Sequence, residues 1–142
     1  MKKTLIFSVF IAFFSLNVMA QGIAFEHDKQ WSEVIAKAKK ENKLIFLDTY
    51  TSWCGPCKRL QLETFPNAEV GKYFNANFVN AKYDMEKGEG IMLASKLQVR
   101  AYPTLFFIDP NTEQVVYKVL GFRNAQEMKA SGEIATSRKS GS

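Results

Sequence analysis

The sequence predicts one α/β domain: a central mixed sheet, helices on both faces and a C-terminal antiparallel hairpin. Three observations carry this. Apolar runs of strand length (residues 44–48, 78–83 and 104–108) alternate with helix-length segments, the pattern of parallel strands joined by helical crossovers. The last two strand-like runs, 104–108 and 114–119, are separated by Asp109-Pro110-Asn111-Thr112, whose residue types make a turn. The only two cysteines, Cys54 and Cys57, flank Gly55-Pro56 between an apolar run and a helix-like one, and a Cys-x-x-Cys there points to redox chemistry before metal binding. A length of 142 residues, 46% of them hydrophobic, suits a single core.

Residues 1–20 are expected to be a secretory signal peptide. Lys2 and Lys3 precede an apolar run over 4–18, and Val18-Met19-Ala20 supplies small residues at the -3 and -1 positions of a cleavage site. The run is shorter than the roughly 20 residues that span a bilayer, so no stable membrane association is expected after cleavage. The expected domain is then 21–136, with 137–142 a disordered tail in which Arg138 and Lys139 are solvated. Within it, Asp28 is placed as the cap of a helix reaching about Asn42, with Trp31, Val34, Ile35 and Ala38 as its apolar stripe. The lone His27 before it is read as a surface residue. The run 44–48 reads as a central strand covered on both sides, ending at Asp48.

A helix opens at Cys54 with Pro56 in its first turn, where a missing N–H is harmless. Pro66 interrupts it, and Asn67 caps a continuation carrying Val70, Tyr73 and Phe74. Gly88 and Gly90 precede a helix with Ile91, Met92, Ala94 and Leu97. After the hairpin, Asn124 and Glu127 make a capping pair for a last helix. That helix is poorly written, with Gly132 inside it and only Met128 and Ile134 large and apolar, so one face of the sheet is expected to be thinly covered.

Charge excludes little but is mild. Nineteen basic against 14 acidic residues give +5, and losing Lys2 and Lys3 leaves +3, too weak to argue for nucleic acid. Two cysteines closing so short a ring gain little as a structural staple. With His27 they do not supply the roughly four ligands of a zinc site. Neither a metal nor a cofactor is expected.

The remaining chemistry is exchange. A thiolate attacks disulfides, and the N-terminal end of a helix lowers a thiol's pKa from its free value of roughly 8.5. Cys54 at that end is the expected nucleophile, and Cys57, one turn deeper, the resolving thiol. Asp48, a carboxylate in an apolar strand, is a candidate base for Cys57, with Lys82 of the neighbouring strand as its partner. Spacing alone is equally consistent with Asp48 ending the strand and Lys82 reaching water. Tyr102-Pro103 begins the third strand, and sequence alone does not select the cis isomer.

Together these residues resemble the thioredoxin superfamily over about residues 26–131. Trp53-Cys54-Gly55-Pro56-Cys57-Lys58 matches the family's active-site motif residue for residue. The resemblance implies the thioredoxin fold, a buried acid at Asp48 paired with Lys82, and a cis proline at Pro103 facing the cysteines. It also implies that Trp53, Gly55, Pro56, Tyr102 and Pro103 hold an extended substrate, partly by backbone pairing at Tyr102. Glu63-Thr64-Phe65 and Gly121-Phe122-Arg123-Asn124-Ala125 are similar to the C-terminal periplasmic domain of the bacterial transmembrane disulfide reductase and to short secreted proteins of that branch. The function so implied is a periplasmic thiol-disulfide oxidoreductase, monomeric by default. It would reduce disulfides of exported proteins and draw electrons from a membrane-bound thiol donor. Tyr102 before the proline is closer to the disulfide isomerases, so an oxidase or isomerase is the alternative. A peptide-binding module without redox turnover is a third reading.

Overall fold

The computed structural model describes residues 21–139. The expected signal peptide and residues 140–142 of the expected tail lie outside the described residues. The elements run β1 (Phe25–Glu26), α1 (Trp31–Glu41), β2 (Leu44–Tyr50), α2 (Gly55–Arg59), a π-helical turn (Leu60–Thr64), α3 (Ala68–Asn77), β3 (Phe78–Asp84), α4 (Glu89–Lys96), β4 (Thr104–Ile108), β5 (Val115–Leu120) and α5 (Ala125–Lys139). The five strands form one sheet in the order β1-β3-β2-β4-β5. β3 runs parallel to both β1 and β2, and the β4–β5 hairpin is antiparallel and joins the sheet against β2. This is the α/β thioredoxin architecture that the motif and the alternation of elements predict.

Side chains alternate across each strand and so divide the core. Leu44 and Phe46 of β2 join Phe78, Leu105, Phe107 and Val119 under α3, α5 and the π-helical turn. Phe46 meets Phe74 edge to face at 4.8 Å and Phe107 in a tilted pair at 5.3 Å, contacts worth about 0.5–1.5 kcal/mol each beyond area burial. On the other face Ile45, Leu47, Val79, Ala81 and Phe106 pack under Trp31, Val34 and Ala38 of α1 and Leu93 of α4.

Several local expectations are corrected. β1 is absent from the sequence reading because two residues are too few to show a period; Asn80 and Asn75 hold this segment by hydrogen bonds to Ala24 and Gly22. The cap of α1 is Gln30, whose N–H donates to Glu33 Oε2 at 2.8 Å, whereas Asp28 has a φ of 50° and stands outside the helix. Gly90 lies inside α4 and not before it, because its missing Cβ admits the Asp84 carbonyl, which an added Cβ would approach to 1.9 Å. β2 continues two residues past Asp48, through Thr49 and Tyr50.

α5 is the largest departure. It is 15 residues long and buries Met128, Ser131, Gly132 and Ala135, a stripe at i, i+3, i+4 and i+7. Three of its four members are small, so it carries almost no hydrophobic signal. A Cβ at Gly132 would stand 3.0 Å from both Phe74 Cε2 and Tyr73 Cε1, so the glycine lets α5 lie close on α3. The face expected to be thin is therefore covered. Nor are residues 137–139 disordered: Arg138 stacks on Tyr117 at 4.6 Å and donates to the Val116 carbonyl at 3.0 Å, and Lys139 reaches Asn42. The Asn124–Glu127 pair does cap the helix, with reciprocal bonds of 2.9 Å.

Candidate active site

The site forms where β2 ends. β2 is pinned on both sides, so the turn that follows it is fixed in place. Cys54 N donates to the Thr51 carbonyl at 3.3 Å, and Cys54 then becomes the N-cap of α2 with φ −75° and ψ 110°. Its Sγ accepts from Cys57 N at 3.2 Å, so the sulfur occupies the position that a serine or aspartate oxygen takes at other helix starts. Pro56 stands in the first turn, as its ring demands. Cys54 and Cys57 are joined in a disulfide with Cα atoms 5.3 Å apart. Cys57 is fully buried and Cys54 is 3% exposed, so in this oxidised state the expected difference in accessibility between them is small.

The surroundings are open. Gly55 and Pro56 are exposed, and Trp53 is 64% exposed. The indole does not swing freely: Nε1 donates to Glu86 Oε1 at 3.0 Å, and the ring meets Tyr102 edge to face at 6.0 Å. This contact brings the Cys-x-x-Cys loop against the Tyr102–Pro103 loop. The Tyr102–Pro103 peptide bond is cis. The loop is fastened by Thr49 Oγ1, which donates to the Thr104 carbonyl at 2.7 Å, and by Thr104 Oγ1, which donates to the Ala101 carbonyl at 2.7 Å. Among the described residues, neither backbone polar group of Tyr102 has a hydrogen-bond partner.

Asp48 sits beneath. It points to the same side of the sheet as Phe46, the side on which Leu60 packs, one turn beyond Cys57. It is completely buried, and among the described residues neither carboxylate oxygen has a hydrogen-bond partner. Burial pushes its pKa up from 3.8 to about 7, opposed by the positive charge of Lys82. Lys82 is the register partner of Asp48 on β3 and half-buried, with Nζ 5.3 Å from the Phe25 ring. The two charges act on each other through space, not through a direct ion pair. Lys82 also borders a cleft of about 440 Å³ with Phe25, His27, Gln61 and Phe65.

The structure thus brings the loop of Trp53, Cys54, Gly55, Pro56 and Cys57 against the loop of Tyr102 and Pro103 through the Trp53–Tyr102 contact, with Asp48 buried on the strand that leads into the motif and Lys82 its register partner. Sequence reasoning missed Glu86, for which an exposed acid offers no signal. It also missed Thr49 and Thr104, whose threonines look like ordinary strand formers. The arrangement can close and open a disulfide at the start of a helix, and the strand leading into it carries a buried carboxylate whose pKa is raised to about 7.

Comparison with known proteins agrees with the geometry. The chain is 30% identical over 95 residues to thioredoxin-1 of Drosophila melanogaster, covering 67% of this chain and 79% of that one. It is 32% identical over 92 residues to the thiol:disulfide interchange protein DsbD of Yersinia enterocolitica, covering 63% of this chain. It spans only 16% of the DsbD chain, and as little as 7% of other curated relatives. A solved structure of a candidate disulphide-isomerase from Bacteroides thetaiotaomicron superposes with a TM-score of 0.71 at 45% identity, covering 83% of this chain and 96% of that one. Residues 31–135 match the family described as thioredoxin-like domain, and with a Cys-x-x-Cys disulfide opening α2 the chain belongs to that family.

Proposed function

We propose that this chain reduces disulfides of exported proteins outside the cytoplasm. The observation that carries the proposal is the Cys54–Cys57 pair closed across the first turn of α2, with Asp48 buried below it and poised near neutral pH. In the reduced form the Cys54 thiolate attacks one sulfur of a substrate disulfide. That S–S bond breaks, the released substrate sulfur takes a proton, and a mixed disulfide joins Cys54 to the substrate. Cys57 then gives its proton to Asp48 and attacks the Cys54 sulfur. The mixed disulfide breaks, the second substrate sulfur leaves and is protonated, and the Cys54–Cys57 bond forms. Two electrons and two protons pass to the substrate, which ends as two thiols. The positive end of α2 favours the Cys54 thiolate, and Lys82 keeps Asp48 from rising further.

The Gly55-Pro56 pair and the likeness to DsbD support the reducing direction and a periplasmic location. An exported reductase needs a source of electrons, and a membrane-bound thiol donor fits that need. We take the working form as a monomer. Equilibration with glutathione tests the direction. A reductase should sit near the roughly −270 mV of reducing thioredoxins, and a value near about −120 mV, that of strong periplasmic oxidants, overturns the proposal. Cys57→Ser should also accumulate a mixed disulfide through Cys54 that Cys54→Ser does not form.

Tyr102 before the cis proline and the likeness to a candidate disulphide-isomerase favour isomerisation as a second reading. An isomerase restores activity to a scrambled disulfide protein without consuming reductant in proportion. A reductase consumes one dithiol for each bond broken.

A further inference from the structure

Beside the Tyr102–Pro103 loop lies a second cleft, of about 410 Å³, on the α1 and α4 side of the sheet. Its floor and walls are Leu97 and Val99 after α4, Phe106 of β4 and Leu120 of β5, and its charged rim is Arg100 and Lys118. Phe106 pairs in register with Lys118, and Thr104 with Leu120, so these side chains share one face. β5 is the edge of the sheet there, and Leu120 is left 59% exposed. Among the described residues no carboxylate lines the cleft. Ala101 and Thr104 belong to its wall, which makes it continuous with the loop whose unpaired Tyr102 backbone can bond an extended chain.

Apolar walls, two cations and no anion fit a particular occupant. A polypeptide lying along Tyr102 with its cysteine at Cys54 would carry its neighbouring residues past this cleft. We propose that the cleft is a specificity subsite that takes an apolar side chain next to an acidic one, on one side of the substrate cysteine. It therefore selects acidic–apolar cysteine segments over basic ones. This rests on the reading of the chain as a disulfide exchanger and adds the class of polypeptide on which it acts. Cations at the rim of a contact surface discriminate between partners more than they add affinity, and reversing them makes an attractive element repulsive.

Arg100 and Lys118 are exposed, so Arg100→Glu/Lys118→Glu should fold as the parent does. The test measures kcat/KM of the reduced protein towards two disulfide-linked peptides, one with Leu-Asp and one with Leu-Lys beside the cysteine, and towards hydroxyethyl disulfide. The parent should prefer the acidic peptide. The double variant should lose roughly tenfold on it, gain on the basic one and keep its rate with hydroxyethyl disulfide, in keeping with the modest strength of exposed charge pairs. An unchanged preference, or an equal loss on all three substrates, overturns the subsite. Fluorescence anisotropy of a labelled, cysteine-free Leu-Asp peptide on the oxidised protein separates this from the exchange reading. If hydroxyethyl disulfide is not turned over but the peptide binds and the reversal weakens it, only the exchange reading falls. If the peptide shows no charge-dependent binding, the subsite falls whatever the turnover. A concentration-dependent increase in sedimenting mass abolished by the double variant would assign the cleft to a second copy of the chain and likewise overturn the proposal.

Discussion

Asp48→Asn removes one buried charge while keeping the side chain's shape. The folded-state pKa of Asp48 is about 7 against an ordinary 3.8, and its two oxygens have no partner to lose. A raised carboxyl pKa means that the folded chain holds the proton more tightly than the unfolded chain. The stability this contributes is fully present below pH 3.8. It falls as the unfolded chain ionises, and it is gone once the pH has risen through the folded value near 7. At about 1.4 kcal/mol per pH unit, the ionisation penalty is about 2 kcal/mol at pH 5 and about 4 kcal/mol at pH 8. Asparagine carries no such penalty, so the variant's advantage over the parent should grow by about 2 kcal/mol between those pH values. That increment does not depend on how well the amide itself fits. Urea unfolding of both oxidised proteins at pH 5, 6, 7 and 8, followed by the fluorescence of buried Trp31, measures it. Thermal scans should show the same trend at roughly 4 °C per kcal/mol for a domain of this size. A stability difference that stays flat across the series would refute the reasoning, because Asp48 would then titrate alike in both states.

Two further outcomes follow from neighbouring contacts. Lys82→Met removes the charge that opposes burial, so the Asp48 pKa should rise further. The pH profile of disulfide reduction should then move to higher pH without a change in the unfolding midpoint at pH 4, and a profile that stays in place argues against a Lys82–Asp48 coupling. Gly71→Ala would set a Cβ 2.2 Å from the Gln21 carbonyl and 2.4 Å from Gly22 C, so backbone must move. Overpacking of about 1–3 kcal/mol outweighs the gain of about 1 kcal/mol from alanine in a helix, and the urea midpoint should fall while residues 21–24 become open to proteolysis.

Much of this molecule is readable in its sequence, for physical reasons that differ by element. β2 and β4 are buried on both faces, so their runs are continuously apolar and appear directly, although the polar Thr49 and Tyr50 hid the end of β2. The Cys-x-x-Cys motif fixes its own turn, because Pro56 can occupy only the first positions of a helix. α5 hides because Gly132, Ser131 and Ala135 pack by being small, which no scale of hydrophobicity rewards. β1 hides because it is held by Asn75 and Asn80 and not by a pattern of its own. Asp48 was visible as an odd charge in an apolar strand, yet its unpartnered burial required the packing of Phe46 and Leu60. Glu86, the anchor of Trp53, lies on an exposed turn and had nothing to mark it.

The last turn of α5 also bears on what happens when many copies of this chain meet. An edge strand with free backbone groups invites another strand to add to it. The pairing of β5 with β4 slips between Phe107 and Ile108 of β4, and Arg138 lies across Tyr117 of β5 with its guanidinium on the Val116 carbonyl. A cation thus occupies the place where a neighbour's amide would dock. A chain trimmed before Arg138 should keep its redox chemistry but lose this guard, and pass from solution into strand-paired aggregates at concentrations the intact protein tolerates.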